Sequence, residues 1–199
     1  MTDIDYGVFP LVFLDTETTG LRPDIHTIWE IAWTTADHTE DGRLIRRKSR
    51  SMTVKLTGDE LAAADPAALK IGRFAERHDD RTALPKLDAM MFLQQDLANI
   101  RLGGKTPHLV GAVPSFDHAM LCSNWFGWPG YGEGLYHYHL IDVEALAVGA
   151  IGSFPLPWDS KALTERFGVE VDESVKHTAA GDVDWALRLY AAVHQLAVV

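Results

Sequence analysis

The sequence has a single cysteine, Cys122, among 199 residues, and it has no apolar run long enough to cross a membrane as a helix. With one cysteine the chain cannot form an internal disulfide, which is typical of a protein from a reducing compartment. The N-terminus also lacks the basic start and the uninterrupted apolar stretch of a signal peptide. These absences predict a cytoplasmic protein without membrane association.

Basic residues are also scarce, since 18 Lys and Arg face 28 Asp and Glu, which gives a net charge of −10. This balance argues against a protein that holds duplex nucleic acid through a broad basic face. It does not exclude a nuclease, because metal ions bound at an acidic site reverse the local potential. One basic run stands apart, made of Arg43, Arg46, Arg47, Lys48, Arg50 and Lys55. Such a run is usually a solvated edge, and it would follow a phosphate backbone only if it flanked the site.

What the chain does have is enough apolar sequence, 47% of its residues, for a sizeable core, and we expect a single domain over residues 1–199. Turn signals divide residues 8–56 into three strands of an antiparallel meander. Further along, strands and helices alternate, which predicts an α/β fold with a mixed central sheet flanked by helices. Helical spacing is seen over Asp59–Arg77, with Asp65-Pro66 marking a helix start inside it, and over Lys86–Arg101. Further helices are predicted from Phe116, from the cap Asp142 to about Val148, and from a cap at Asp159 or Ser160 to Phe167, with a last helix from Ala179 to the C-terminus. Strands are predicted over His108–Val113 and Leu135–Ile141, and a loop over Trp125–Gly134.

Two carboxylates close the first strand. Asp15 and Glu17 follow the apolar run that begins at Val8, and side chains alternate across a strand, so both carboxylates point the same way. Like charges at the end of a buried strand repel each other unless a cation or a shared proton relieves them, and a divalent metal is the simplest relief. An ordinary polar turn ended by Gly20 is the alternative interpretation of this pair alone.

Further acids stand in comparable positions. Asp117 follows a short strand and falls in a first helical turn. Ligands of such sheets gather outside the strand ends, so Asp117 could join Asp15 and Glu17 in one cluster. His177 and Asp182 are five residues apart, and in one helix they would be about 140° apart, so they could not share a face. We therefore expect His177 on the loop ahead of the last helix and Asp182 inside that helix, a pairing that suits a general base and a metal ligand.

In this order and spacing the chain resembles the DEDDh 3′→5′ exonucleases, the DnaQ-like group with a ribonuclease-H-like fold. The resemblance spans residues 11–190 and rests on Phe116-Asp117, on His177 with Asp182, and on Asp15-Thr16-Glu17-Thr18-Thr19-Gly20. The family's second motif usually has an asparagine three residues ahead of the Phe-Asp pair, and this chain has Val113 there. That change bears on substrate positioning more than on chemistry.

The resemblance implies hydrolysis of phosphodiester bonds with two divalent ions, Mg²⁺ or Mn²⁺. Asp15 would bridge both ions, Glu17, Asp117 and Asp182 would complete their shells, and His177 would be the general base. Thr18 and Thr19 would lie near the terminal 3′-hydroxyl, and Leu21 and Phe116 would pack on the last bases. The substrate would be the 3′ end of single-stranded nucleic acid, with DNA favoured over RNA and nucleoside 5′-monophosphates as products.

Several alternatives stay open at this stage. The enzyme could be an oligoribonuclease, or the chain could bind a nucleic-acid end or a partner protein without cleaving. The five intact acidic and histidine positions favour activity, because a binding module has no physical need for four mutually repelling acids. A polymerase partner with a role in proofreading or DNA repair, and the oligomeric state, are not decided by the sequence. Glu30 is either a buried partner for backbone groups or a support for the site.

Overall fold

The computed structural model of the chain describes residues 7–126, 134–152, 156–172 and 174–199. Within these residues, none of the helices has both the length and the apolar content to span a membrane. The strands are β1 Val8–Thr18, β2 Ile28–Thr39, β3 Arg43–Thr53, β4 His108–Gly111, β5 His137–Asp142 and β6 Ala197–Val198. The α-helices are α1 Gly58–Ala62, α2 Pro66–Ile71, α3 Phe74–Arg77, α4 Lys86–Leu102, α5 Pro114–Leu121, α6 Val143–Ile151, α7 Ser160–Phe167 and α8 Ala179–His194, and a π-helical turn covers Cys122–Phe126.

The strands form one mixed sheet in the order β5-β4-β1-β2-β3-β6. β2 is antiparallel to both β1 and β3, and β4 runs parallel to β1 and to β5. The antiparallel meander with later parallel strands, flanked by helices, is therefore confirmed. β1 lies inside the sheet and is covered on both faces, which explains why it is a continuous apolar run rather than an alternating one.

Alternate residues of β1 face two different layers of the core. Leu11 and Phe13 belong to the cluster that packs against α6, α7 and α8, and Phe13 meets Tyr190 of α8 edge to face at 5.6 Å. Val12 and Leu14 belong to the cluster with α4, α5 and the π-helical turn. Each such fully buried side chain contributes about 1.5–3 kcal/mol relative to exposure. This alternation continues into the polar end of the strand and decides which helix each site residue faces.

Three predicted elements differ from the structure. The helix expected over Asp59–Arg77 is three short helices, because Asp65 caps a new helix at Pro66 and Arg73 has a left-handed backbone with φ of 54°. The last helix ends at His194 and the chain then adds β6 beside β3, too short a strand to show a pattern. Trp125 and Phe126, expected in a loop, are buried in the π-helical turn, and residues 127–133 of that loop lie outside the described part of the chain.

The basic run lies on β3, two strands away from β1, except for Lys55, which follows the strand. Its charges meet acids of the protein itself: the pairs are Arg43–Asp41, Arg46–Asp184, Arg47–Asp37, Lys48–Asp96 and Arg50–Asp96. Asp96 is buried and also accepts a hydrogen bond from Trp33 Nε1 at 3.1 Å. The ion pairs of the run therefore attach β3 to neighbouring elements. This arrangement favours the interpretation of the run as a solvated edge over its interpretation as a binding surface for a phosphate backbone.

Candidate active site

Three carboxylates converge at the end of β1. Asp15 and Glu17 continue the alternation of Leu11 and Phe13, so both face α8, where Asp182 lies in the first turn. One oxygen from each of the three can be chosen so that all lie within 4.8 Å of one another. The expected common face of Asp15 and Glu17 is confirmed, and Asp182 joins them from the facing helix.

The start of α8 fixes the position of Asp182. Thr178 is the N-cap, and its hydroxyl accepts a hydrogen bond from Gly181 N–H at 3.0 Å. Ala179 is fully buried beneath this cap, and its N–H donates to the Glu30 carboxylate of β2 at 3.3 Å. The first turn of α8 is thus attached to the sheet directly beside β1, which places Asp182 over the strand end.

Asp117 reaches β1 from the opposite layer. It lies in the first turn of α5, is 5% exposed, and accepts a hydrogen bond from Thr16 Oγ1 at 2.7 Å. Thr16 lies between Asp15 and Glu17 in the alternation, so it faces the α5 side. Among the described residues, Asp117 is therefore not a member of the three-carboxylate group, although its charge still acts on Asp15. Its role as a metal ligand stays a prediction.

The acids are strongly disfavoured as anions in the absence of a cation. Burial raises the pKa of Asp15 well above its ordinary value, and the charges of Asp117 and Asp182 raise it further. Burial likewise raises the pKa of Glu17 to about 7, and that of Asp117 to about 7 despite the hydrogen bond from Thr16. Burial also raises the pKa of Asp182, against the lowering effect of the His177 charge and backbone. Such shifts are typical of functional carboxylates.

His177 lies directly before the N-cap of α8, as its distance from Asp182 predicts. Its side chain is exposed and its backbone is left-handed, with φ of 56°. His177, Asp15 and Asp182 line the same open cleft of about 830 Å³ between α7, α8 and the segment that joins them. An exposed imidazole beside buried carboxylates can exchange its proton with solvent, which a general base requires.

The proposed substrate contacts occupy two kinds of environment. Thr18 and Thr19 are buried. The Thr18 hydroxyl donates a hydrogen bond to the Gly20 carbonyl at 2.9 Å, and the Thr19 hydroxyl accepts one from Thr27 N–H at 3.0 Å. Leu21 is 77% exposed, whereas Phe116 packs partly against the core. Leu21 therefore offers an apolar surface to a ligand, while the two threonine hydroxyls shape the loop after β1.

Sequence reasoning missed two arginines next to the site, Arg73 and Arg77. Arg77 forms an ion pair with Glu30 and donates to the His177 carbonyl at 2.9 Å, and Arg73 donates to the carbonyls of Ser174 and Lys176. These contacts join a side chain to backbone groups about a hundred residues away along the chain, so no spacing pattern in the sequence predicts them. Glu30, a buried acid in the apolar first half of β2, was the available signal that a cation lies nearby.

No protein-family model and no curated protein sequence matches the chain. Comparison with solved structures gives exonuclease I from Methylocaldum szegediense, at a TM-score of 0.67 and 17% identity, covering 94% of this chain and 40% of that one. The chain has the fold of exonuclease I. E. coli exonuclease I in complex with a dT13 oligonucleotide is similar at a TM-score of 0.65 and 15% identity, covering 93% of this chain and 41% of that one. The zinc-bound complex of E. coli exonuclease I with single-stranded DNA is similar at a TM-score of 0.66 and 16% identity, covering 94% of this chain and 40% of that one.

These comparisons confirm the ribonuclease-H-like fold expected from the motifs. The chain spans about 40% of the length of these exonuclease I chains, and the likeness covers nearly all of its own residues. At 15–17% identity the comparisons show a shared fold and nothing finer. What the site of this chain does must therefore be argued from its own residues.

The donor set fits a hard divalent cation. Asp15, Glu17 and Asp182 supply oxygen ligands only, the kind that Mg²⁺ and Mn²⁺ prefer, and their raised pKa values show that their negative charges are incompletely compensated. A bound cation would remove the cost of ionising them. The site can therefore hold a divalent metal and couple its binding to proton release.

We expect the metal-free protein to become less stable as the pH rises from about 5 to about 8. The folded state holds protons on Glu17 and Asp117 up to a pKa of about 7, whereas unfolded carboxyls release theirs near pH 4, so stability is lost as the pH passes the folded pKa. Mn²⁺ at about a hundredfold over its dissociation constant should add about 2.7 kcal/mol at pH 8 and flatten this dependence.

Thermal unfolding in chelator and in Mn²⁺, measured across this pH range, checks the prediction. Glu17→Gln should reduce the pH dependence in chelator, and the exposed Glu165→Gln should leave it unchanged. A melting temperature in chelator that rises with pH over this range, or one that does not respond to Mn²⁺ at pH 8, would contradict the assignment of these carboxylates to a metal site.

Proposed function

We propose that the protein is a metal-dependent 3′→5′ exonuclease that hydrolyses phosphodiester bonds at the 3′ ends of single-stranded DNA and releases nucleoside 5′-monophosphates. The observation that carries the proposal is the convergence of Asp15, Glu17 and Asp182 at the end of β1, with His177 on the same open cleft. The exonuclease I fold supports it, because these are the positions of the DEDDh motif in the resemblance described above.

In this proposal Asp15, Glu17, Asp117 and Asp182 hold two divalent ions, Mg²⁺ or Mn²⁺. When bound, the ions would supply an acidified water and charge compensation for the phosphate. The carboxylates give the ions a fixed frame, because β1, α5 and α8 position them and all three elements are anchored in the core. Without the cations, the three or four negative charges of the carboxylates would repel a polyanion. The site would therefore bind nucleic acid only after the cations have bound.

His177 would take a proton from the attacking water. His177 is exposed and lines the same cleft as Asp15 and Asp182, where the attacking water would be held. Burial raises the pKa of the Asp182 carboxyl, and the neighbouring His177 side chain and backbone N–H act against that rise. After hydrolysis the exposed ring can pass its proton to solvent.

DNA is the favoured substrate because exonuclease I was crystallised with dT13 and dA16 oligonucleotides. The exposed Leu21, with Phe116 close to the same strand end, would provide apolar contact for the last bases without selecting a sequence. We extend the proposal to residues 1–199 acting as one exonuclease domain. An RNA exonuclease is the second candidate, since none of these contacts reads the sugar, and a polymerase partner in proofreading or repair has no support beyond the family resemblance.

Purified protein should shorten a 5′-labelled single-stranded DNA oligomer from its 3′ end in Mn²⁺ and not in EDTA. Asp15→Asn, which keeps the side-chain shape but removes a ligand charge, should lower the rate by at least about a hundredfold, because the metal frame is lost. Asp142→Asn is a matched control, because Asp142 caps α6 rather than facing the site. The matching RNA oligomer distinguishes the two candidate substrates. Cleavage that survives EDTA or Asp15→Asn would contradict the metal-dependent mechanism.

His177→Ala should slow hydrolysis by about 10²-fold or more while metal binding and thermal stability stay close to those of the wild type, because the exposed ring contributes little packing. The comparison uses single-turnover rates with the DNA oligomer at saturating Mn²⁺, and calorimetry for metal affinity. An undiminished rate would exclude His177 as the general base, and a rate lost together with metal binding would make it a ligand instead.

A further inference from the structure

The turn that carries His177 is held from one side by two arginines. Arg73 Nη2 donates to the carbonyl of Ser174 at 3.2 Å and to that of Lys176 at 3.3 Å. Arg77 Nη1 donates to the carbonyl of His177 at 2.9 Å. Three of the four carbonyls from 174 to 177 thus accept hydrogen bonds from cations of the α2–α3 region, which packs beside the end of β1. We refer to residues 174–178 as the His177 turn.

Arg77 is itself fixed in place. Its second amino group forms an ion pair with the carboxylate of Glu30, its Nη1 also donates to the Gly72 carbonyl at 2.7 Å, and its guanidinium lies over the Trp29 ring at 5.2 Å. The side chains of Arg77 and Glu30 are only 17% and 8% exposed. The same Glu30 carboxylate accepts the Ala179 N–H, so one buried pair connects β2, the His177 carbonyl and the first residue of α8.

The opposite side of the turn packs directly against α8. A Cβ added at Gly181 would lie 2.2 Å from the Val175 carbonyl oxygen, far inside the distance that real atoms allow. Thr178 Oγ1 donates to the same carbonyl at 2.6 Å. The His177 turn therefore fits between two arginines and a glycine. Because a left-handed backbone is unfavourable for a residue other than glycine, the φ of His177 needs such external support.

We propose that Arg73 and Arg77 are positioning residues that hold the His177 turn in register with the carboxylates, so that the imidazole stays fixed over the cleft. This inference rests on the proposed exonuclease function for its catalytic consequence. Neither arginine would touch substrate or metal, and both contact the His177 turn through its backbone carbonyls. Hydrogen bonds from a charged donor are roughly twice as strong as neutral ones, which suits the restraint of an otherwise exposed turn.

Arg73 is the cleaner target, because removing Arg77 leaves Glu30 buried without its cation and can damage the fold. Alanine at position 73 faces the same left-handed φ as arginine, so Arg73→Ala removes the two hydrogen bonds without relieving backbone strain. Arg73→Lys keeps a cation within reach of one carbonyl. Arg81→Ala is the matched control, since among the described residues the Arg81 side chain pairs only with Asp79, and it is 88% exposed.

Amide hydrogen exchange of the free protein tests the restraint without substrate or metal. Arg73→Ala should speed exchange across residues 174–178 by about tenfold or more, with Arg73→Lys between it and the wild type and Arg81→Ala unchanged. Unchanged exchange in Arg73→Ala would overturn the proposal. Accelerated exchange over the whole of α8 as well would show general destabilisation instead of a local restraint, and would also overturn it.

Kinetics test the consequence for catalysis. Arg73→Ala should lower kcat for DNA hydrolysis by about tenfold, with KM and Mn²⁺ affinity unchanged. Arg73→Lys should retain part of the lost kcat. In a His177→Ala background, Arg73→Ala should have no further effect on kcat. An equal loss in that background would mean that Arg73 does not act through His177. If the wild-type protein cleaves no DNA or RNA, the proposed function fails, while the exchange result still accepts or rejects the restraint itself.

Discussion

Repulsion between carboxylates gathered at the end of β1 is the constraint on which the rest of the site depends. Burial and mutual charge raise the pKa values of Asp15, Glu17, Asp117 and Asp182, so the fold holds these acids together against their preference to separate or to stay protonated. It can do so because β1 is covered on both faces and the helices bearing the other acids are anchored in the same core. A divalent cation would turn this unfavourable arrangement into a binding site.

The alternation of β1 also explains how the acids divide. Odd-numbered residues from Leu11 to Glu17 face α8, while Thr16 faces α5 and receives Asp117. The site is therefore assembled from both layers of the molecule, with β1 between them. Asp15, at the junction, is influenced by the charges of Asp117 on one side and Asp182 on the other. A shift of β1 by one residue would exchange the two sets, so strand register is as important as residue identity.

Much of this arrangement could be predicted from the sequence, because it depends on local rules. The common face of Asp15 and Glu17 follows from strand alternation, and the separation of His177 from Asp182 follows from helix geometry. In the 59–77 region the Asp65-Pro66 pair marks the start of α2, whereas the break at Arg73 has no such signal because helical spacing continues across it. The contacts of Arg73 and Arg77 follow from no periodicity, because they join side chains to distant backbone carbonyls.

The charges around the cleft indicate how a polyanion would be received. Its walls carry, in addition to Asp15 and Asp182, the acids Glu144, Asp159, Glu165, Glu170, Asp172 and Asp184, against Lys161, Lys176 and Arg188. Of the basic run on β3, Arg46 is already paired with Asp184 of the cleft wall, while Lys48 and Arg50 pair with Asp96. A nucleic-acid end would therefore approach an acidic surface whose local potential changes sign only where cations are bound.

Anomalous diffraction from crystals grown with Mn²⁺ and a nucleoside 5′-monophosphate would test the metal assignment most directly. We expect manganese peaks within coordination distance of the Asp15, Glu17 and Asp182 carboxylates, with the His177 ring facing the nucleotide phosphate across the cleft. Crystals of Asp15→Asn protein should lose the peak that Asp15 holds. Manganese bound elsewhere, or carboxylates that stay unliganded at saturating Mn²⁺ and pH 8, would contradict a metal-dependent active site at the end of β1.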